Sequence, residues 1–481
     1  MNARALVPLL VLLLVGYFVY DQYLQGRVAL PGLQPQPPTT IATPAPPSSP
    51  ATNPDATTTT ITVAPIQLEP VKFAPRLEQR AILEAVAAKN YAQALALSDP
   101  YLRRNPTDAL VGVYAENAAI ELSNQNSYTI GVSAPLTGAL KQVGEAFLQG
   151  ILLAVRQTNQ AGGIQRGETR YRIRVRVLND AGDRATAITV ASEFAKDDLV
   201  WGVVGPYSSS TLLAAAPVYN NSSNVIIAPA ATNPRISSAG PNIFRVAPSD
   251  TTQGAALARL VLARGHKSVA VIFDENDAYS SGLAESFKAE AKRINLTTSD
   301  TPFTLGSYNT PKVGNYGVDA IFVAGYTNDV ALVARVEKPF GKPIFAGDGA
   351  YGQDLIAQGG QAVEGVIVTS FWHSTLTDQN SKRFTTQFGN LFGGGTPNAN
   401  AVQAYDAART LIEALRRAKQ LKSGDDVRAA LETMRTTPSA GVTAPVRFDA
   451  NGDVVGRPWV AIQVQPNNAG ALTFRAIGYA K

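Results

Sequence analysis

From residue 127 onward the chain repeats one pattern: a short apolar run, a few turn residues, then an amphipathic stretch of helical period. The apolar runs fall at 128–134, 171–179, 201–204, 225–228, 269–272, 320–323 and 344–346. Helical stretches lie between them at 143–162, 185–196, 209–219, 251–264, 281–294 and 329–337. Such alternation has one packing solution, parallel sheets covered by helices on both faces. A single sheet holding every strand of so long a chain would be unusually large, so the pattern predicts two α/β lobes. In sheets of this kind ligands bind beyond the carboxyl ends of the strands, at helix amino termini. Function is therefore expected in the loops just after the strands.

Composition removes most other chemistries. The chain has no cysteine and two histidines, His266 and His373, which excludes a disulfide framework, thiolate catalysis and histidine-rich metal sites. Both histidines read as structural. The net charge of +5 is small for 481 residues, and basic residues are scattered except for Arg170, Arg172, Arg174 and Arg176, so no nucleic-acid partner is expected. Those arginines alternate with Tyr171, Ile173, Val175 and Val177, as on a strand with one solvated and one buried face. No G-x-S-x-G elbow, Walker loop, H-E-x-x-H or dinucleotide fingerprint occurs, and the glycines at 393–395 run into Thr396-Pro397 as a flexible loop. The expectation is a binding protein without a cofactor, not an enzyme.

The first 124 residues are of different material. The stretch 5–20 (ALVPLLVLLLVGYFVY) is almost unbroken apolar sequence behind Arg4. As a helix it would span about 24 Å, near the thickness of a hydrocarbon core. It reads as an uncleaved signal anchor within 1–24, with a cleaved signal peptide as the other reading. The segment 25–75, crowded with Pro, Thr and Ala, is expected to be a disordered linker. At 76–124 apolar positions return at helical spacing, broken at Asn105-Pro106, with Asp108 placed to cap the next helix. This resembles one tetratricopeptide-like helix pair, either a collar on the main domain or a docking unit.

Two loops stand out. After 201–204 comes Gly205-Pro206-Tyr207-Ser208-Ser209-Ser210-Thr211, leading into a helix. Hydroxyls and free N–H groups at a helix start suit a carboxylate, and an ordinary capping serine accounts for the same residues. After 225–228 comes Pro229-Ala230-Ala231-Thr232-Asn233-Pro234, which can present the Ala230 carbonyl and the Thr232 hydroxyl. Tyr279, Tyr326 and Asp348 each follow a predicted strand by a few residues. In isolation Asp348 reads as a helix cap.

The segments 130–164 (IGVSAPLTGALKQVGEAFLQGILLAVRQTNQAGGI), 205–211 (GPYSSST) and 227–234 (IAPAATNP) resemble the branched-chain amino-acid-binding proteins of ABC transporters. That family has the leucine-binding-protein-like type I periplasmic binding protein fold: two lobes, each a mainly parallel sheet flanked by helices, joined by three hinge crossings. The resemblance covers 127–481, with lobe 1 at about 127–248 and 372–440 and lobe 2 at about 249–371 and 441–481. It implies that Ser208 and Thr232 meet an amino acid's carboxylate. The Ala230 carbonyl and Asp348 would hold its ammonium, while Tyr279 and Tyr326 close over it. The chain departs from the family at Val143, at Tyr207, in the short stretch 304–319, and in carrying Asp rather than Glu at 348. The implied function is a membrane-tethered, periplasmic solute-binding protein of the inner membrane that delivers a branched-chain or other aliphatic amino acid to an ABC permease. Two other readings use the same fold: a sensor or envelope scaffold docking through 77–122, and a receptor for an amide or urea.

Overall fold

The structure, a computed structural model, describes residues 77–309 and 317–480. The expected anchor (1–24) and linker (25–75) lie outside them. Among the described residues no helix is long and apolar enough to cross a membrane. The expected helix pair is instead three helices, α1 (Leu77–Ala87), α2 (Tyr91–Arg104) and α3 (Ala109–Leu122). The additional break falls where Lys89 takes a φ of 58° and the Asn90 side chain caps α2 by accepting from the Gln93 N–H. Asp108 caps α3, accepting from the Val111 N–H at 3.1 Å, and also takes the Tyr101 hydroxyl at 2.7 Å.

The first lobe follows with β1 (Ser127–Ala134), α4 (Lys141–Gln160), β2 (Ile164–Arg166), β3 (Thr169–Asn179), α5 (Arg184–Ala195), β4 (Val200–Val204), α6 (Ser209–Asn220), β5 (Ile226–Ala228) and β6 (Ile243–Arg245). Its sheet runs β2-β3-β1-β4-β5-β6 and is parallel except for the β2–β3 pair. The second lobe holds α7 (Asp250–Ala263), β7 (Ser268–Phe273), α8 (Ala278–Arg293), β8 (Thr297–Pro302), β9 (Ala320–Ala324), α9 (Thr327–Glu337), β10 (Ile344–Ala346), α10 (Gln353–Gly359) and β11 (Ile367–Ser370). The chain returns to the first lobe with α11 (Gln379–Leu391), α12 (Ala399–Arg417) and α13 (Gly424–Glu432), then ends in the second with β12 (Trp459–Pro466) and β13 (Leu472–Ala480). The second sheet runs β13-β12-β11-β10-β9-β7-β8, with β12 antiparallel to both neighbours. Strands buried on both faces, such as β5 and β9, read as unbroken apolar runs for that reason. Between β8 and β9 the described residues 303–309 and 317–319 form no helix.

Three crossings join the lobes, after β6, after β11 and before β12. The third comes later than the sequence boundary near 440. Val442, Val446, Phe448 and Val454 pack into the first lobe's core, and Asp453 pairs with the fully buried Arg245 at 2.6 Å. The stretch hid its allegiance because it has neither helical nor strand period, only isolated bridges, turns and bends, two of the bends at Gly452 and Gly456.

The three-helix unit closes an exposed sheet edge. Beyond Tyr171 the outer side of β3 has no strand partner among the described residues. Two asparagine amides continue the ladder there. Asn159 accepts the Ile173 N–H at 2.7 Å and donates to its carbonyl at 3.0 Å, and Asn117 of α3 does the same for Val175 at 3.0 and 2.8 Å. The arginines of β3 are likewise less solvated than their alternation suggests. Arg174 pairs with Glu121 of α3, and Arg176 with Asp197 at 2.6 Å and Glu193 at 3.3 Å. The unit is thus a collar sealing an unpaired edge.

Candidate functional site

The hydroxyl-rich turn at the start of α6 divides its work residue by residue. Ser208 is the N-cap, its Oγ accepting from the Thr211 N–H at 3.1 Å. Ser209 Oγ accepts from the Thr232 and Asn233 N–H groups at 3.2 and 3.1 Å, and so holds the loop after β5 against this turn. Ser210 reaches the other lobe, donating to Asp277 Oδ2 at 2.8 Å. The capping reading of Ser208 is therefore realised, and the turn has further duties that spacing did not reveal.

The β5 loop places Thr232 in full burial, with its Oγ1 unpartnered among the described residues, while Ala230 two positions earlier is half-buried. The Thr232 carbonyl accepts from the Asp250 N–H at 2.8 Å at the first crossing. Asp250 is fully buried at the start of α7, and both its carboxylate oxygens lack a hydrogen-bond partner among the described residues. Its carboxyl is held well above the usual range, first by burial and then by the Asp348 charge.

Asp348 follows β10 in the second lobe. One of its oxygens, Oδ1, accepts from Gln253 Nε2 at 3.0 Å and from the Tyr279 hydroxyl at 3.1 Å. The Tyr279 hydroxyl in turn accepts the Gly349 N–H at 2.9 Å. Glycines on both sides of Asp348 allow this. A Cβ at Gly347 would stand 2.5 Å from the Tyr279 hydroxyl oxygen, and one at Gly349 2.8 Å from its ring. Burial pushes the Asp348 carboxyl up to about 6, against the pull of the Gln253 and Tyr279 hydrogen bonds. Tyr326 lies beside Tyr279, ring centres 5.2 Å apart. Tyr207 packs edge-on to Phe147 at 5.7 Å and feels the Asp348 and Asp277 charges from the opposite lobe.

Ser208, Ala230 and Thr232 thus stand on one lobe, and Tyr279, Tyr326 and Asp348 on the other. Thr232, Asp250 and Asp348 come close together where the lobes meet: the Asp250 N–H bonds the Thr232 carbonyl, and the Asp348 charge acts on the Asp250 carboxyl. Sequence reasoning missed Asp250, Gln253 and Asp277. Asp250 and Gln253 lie on α7 behind the capping Ser249, and Asp277 caps α8, so each reads as routine helix-start chemistry. From the sequence His373 reads as structural. It sits buried at the second crossing with its Nδ1 accepting the Thr375 N–H at 3.1 Å.

Comparison with known proteins agrees with this architecture. The family model described as "Periplasmic binding protein" matches residues 127–471. "Leu/Ile/Val-binding protein homolog 2" of Brucella abortus is 26% identical over 356 residues, covering 72% of this chain and 92% of that protein. An "Amino acid binding protein" of Pseudomonas aeruginosa is 27% identical over 339 residues, covering 68% of this chain and 87% of that one. Among solved structures, leucine binding protein LivK of Thermotoga maritima aligns with a TM-score of 0.66 at 25% identity, over 74% of this chain and all but 1% of its own (99%). An ABC transporter substrate-binding protein of Desulfitobacterium hafniense in complex with Leu aligns at 0.61 and 25%, over 73% of this chain and 100% of its own. These relatives are solute-binding proteins rather than enzymes. With the family model spanning most of its length, this chain belongs to the periplasmic binding protein family and has the two-lobed type I architecture.

Proposed function

We propose that the chain captures an amino acid between its lobes and hands it to an ABC permease. The observation that carries this reading is a group of buried polar atoms where the lobes meet: the Thr232 hydroxyl and the adjacent Asp250 carboxyl, neither with a close hydrogen-bond partner among the described residues, and Asp348 near enough to act on Asp250. A hydroxyl loop and two carboxyls facing one space complement a zwitterion. Thr232 and Ser208 would take its carboxylate, and Asp348, with the Ala230 carbonyl, its ammonium. Tyr279 and Tyr326 would cover the rest. Each lobe alone satisfies half of such a ligand, so binding favours closure. The names of the relatives, which include Leu/Ile/Val-binding homologues and a complex with Leu, support an aliphatic amino acid. A periplasmic position for the two lobes and tethering through 5–20 belong to the same proposal.

A thermal-shift screen of the chain against L-leucine, L-isoleucine, L-valine and small amides tests it. An aliphatic amino acid at a hundred times its Kd should add about 2.7 kcal/mol to stability. Stabilisation by amides and by no amino acid would assign the cleft to an uncharged solute instead.

A further inference from the structure

Four hydrogen bonds run from the first lobe to residues 276–278, where the chain enters α8. Ser210 Oγ donates to Asp277 Oδ2 at 2.8 Å and accepts the Ala278 N–H at 3.1 Å. Arg184 Nη2 donates to the Asn276 carbonyl at 2.7 Å, and Asn233 Nδ2 donates to the Ala278 carbonyl. One turn further along α8 is Gly282. A Cβ there would lie 2.2 Å from Asn233 Nδ2 and 3.2 Å from Pro234 Cδ, both on the first lobe. Gly282 is inside a helix with no left-handed φ, so the helix itself gains nothing from glycine and would be firmer with alanine. The glycine is needed only because the other lobe approaches so closely.

We propose that residues 276–282 are a closing latch, and that Ser210, Asn233 and Gly282 set the affinity of the cleft without touching its ligand. This rests on the reading of the cleft as a binding site that shuts around its solute. They are positioning residues. Their bonds exist only when the lobes are together, so they raise the fraction of molecules competent to retain a ligand, and apparent affinity scales with that fraction. Removing one such pair should lower the closed fraction roughly 5- to 10-fold. Asp277 is left out of the test because its charge also acts on Tyr207 of the other lobe and on Tyr326 of its own.

The chain has no cysteine, so one label can be placed on each lobe of the full protein, through Ile188→Cys and Glu364→Cys, both exposed. The interlobe distance distribution is then read without added solute, and L-leucine dissociation is timed separately. The latch predicts a closed population in the unliganded protein that shrinks in Ser210→Ala and in Gly282→Ala and returns in Ser210→Thr. L-leucine should leave both weakened variants about 5- to 10-fold faster, with association little changed. Gly282→Ala should lose closure while its melting temperature holds or rises, a combination that a purely structural defect does not give. Distance distributions identical to the wild type in both variants would overturn the latch. If L-leucine binds none of the proteins, the ligand assignment fails, while the distances still decide the latch.

Discussion

Asp348 and Asp250 lie near enough for the charge of the first to raise the proton affinity of the second, and burial raises both. In the folded chain without ligand the Asp348 carboxyl titrates near about 6 instead of 3.8. Between those values the folded state keeps a proton that the unfolded chain gives up. The stabilising contribution of this group is therefore present at the acid end and is lost as pH rises through about 6. An ammonium bound at Asp348 requires the carboxylate, so binding should expel a proton and tighten from pH 5 to pH 7. Titration calorimetry with L-leucine in buffers of different ionisation heat reads both effects. A Kd that stays flat across that range, with no proton release, would take Asp348 out of contact with the ligand. Thr232→Val tests the opposite end. It keeps the shape and removes the unpartnered hydroxyl, so amino-acid affinity should fall by about 1–2 kcal/mol with no loss of folding stability.

At the scale of elements, most strands and helices from β1 to β10 were legible because buried parallel strands must be apolar and their covering helices amphipathic, while those after β10 were not read. β1, β3 and α6 fall within one or two residues of their sequence positions. The Ser208 and Thr232 loops were legible through their hydroxyls and prolines. What spacing could not show were side chains standing in for backbone. Asn117 is an ordinary polar residue on a helix until β3 is seen to lack an outer neighbour, since no periodicity marks an amide that completes a ladder. Asn117→Ala should leave the Val175 N–H and carbonyl without their partner and cost about 1–2 kcal/mol in chemical denaturation. A change below a few tenths would mean that water replaces the amide and the collar is dispensable. Asp250 was hidden differently: a carboxylate at a helix start looks like a cap, and only the fold shows that Ser249 does the capping while Asp250 turns inward.

Across the whole molecule, two buried ion pairs hold the chain where it crosses between lobes. Arg245 and Asp453 tie the first crossing to the segment that precedes the third, with Nε–Oδ1 at 2.6 Å and Nη2–Oδ2 at 2.8 Å. Arg457, at the third crossing, meets Asp406 of α12 at 2.7 Å with both side chains fully buried. Arg245 also donates to the Asn233 carbonyl at 2.9 Å, which links this frame to the Thr232 loop. Removing one partner strands the other charge in the interior, so Asp406→Ala should destabilise the protein by about 3–5 kcal/mol. The expected readout is a lowered denaturation midpoint with the ligand chemistry of the cleft untouched. The first and third crossings are thus fixed by charge.

The most direct measurement is a calorimetric titration of the chain and of its Asp348→Asn variant with L-leucine at pH 7. The account predicts binding by the first and a loss of about 2–5 kcal/mol in the second, because a desolvated ammonium would lose its counter-charge. Equal affinity in the two proteins would contradict it.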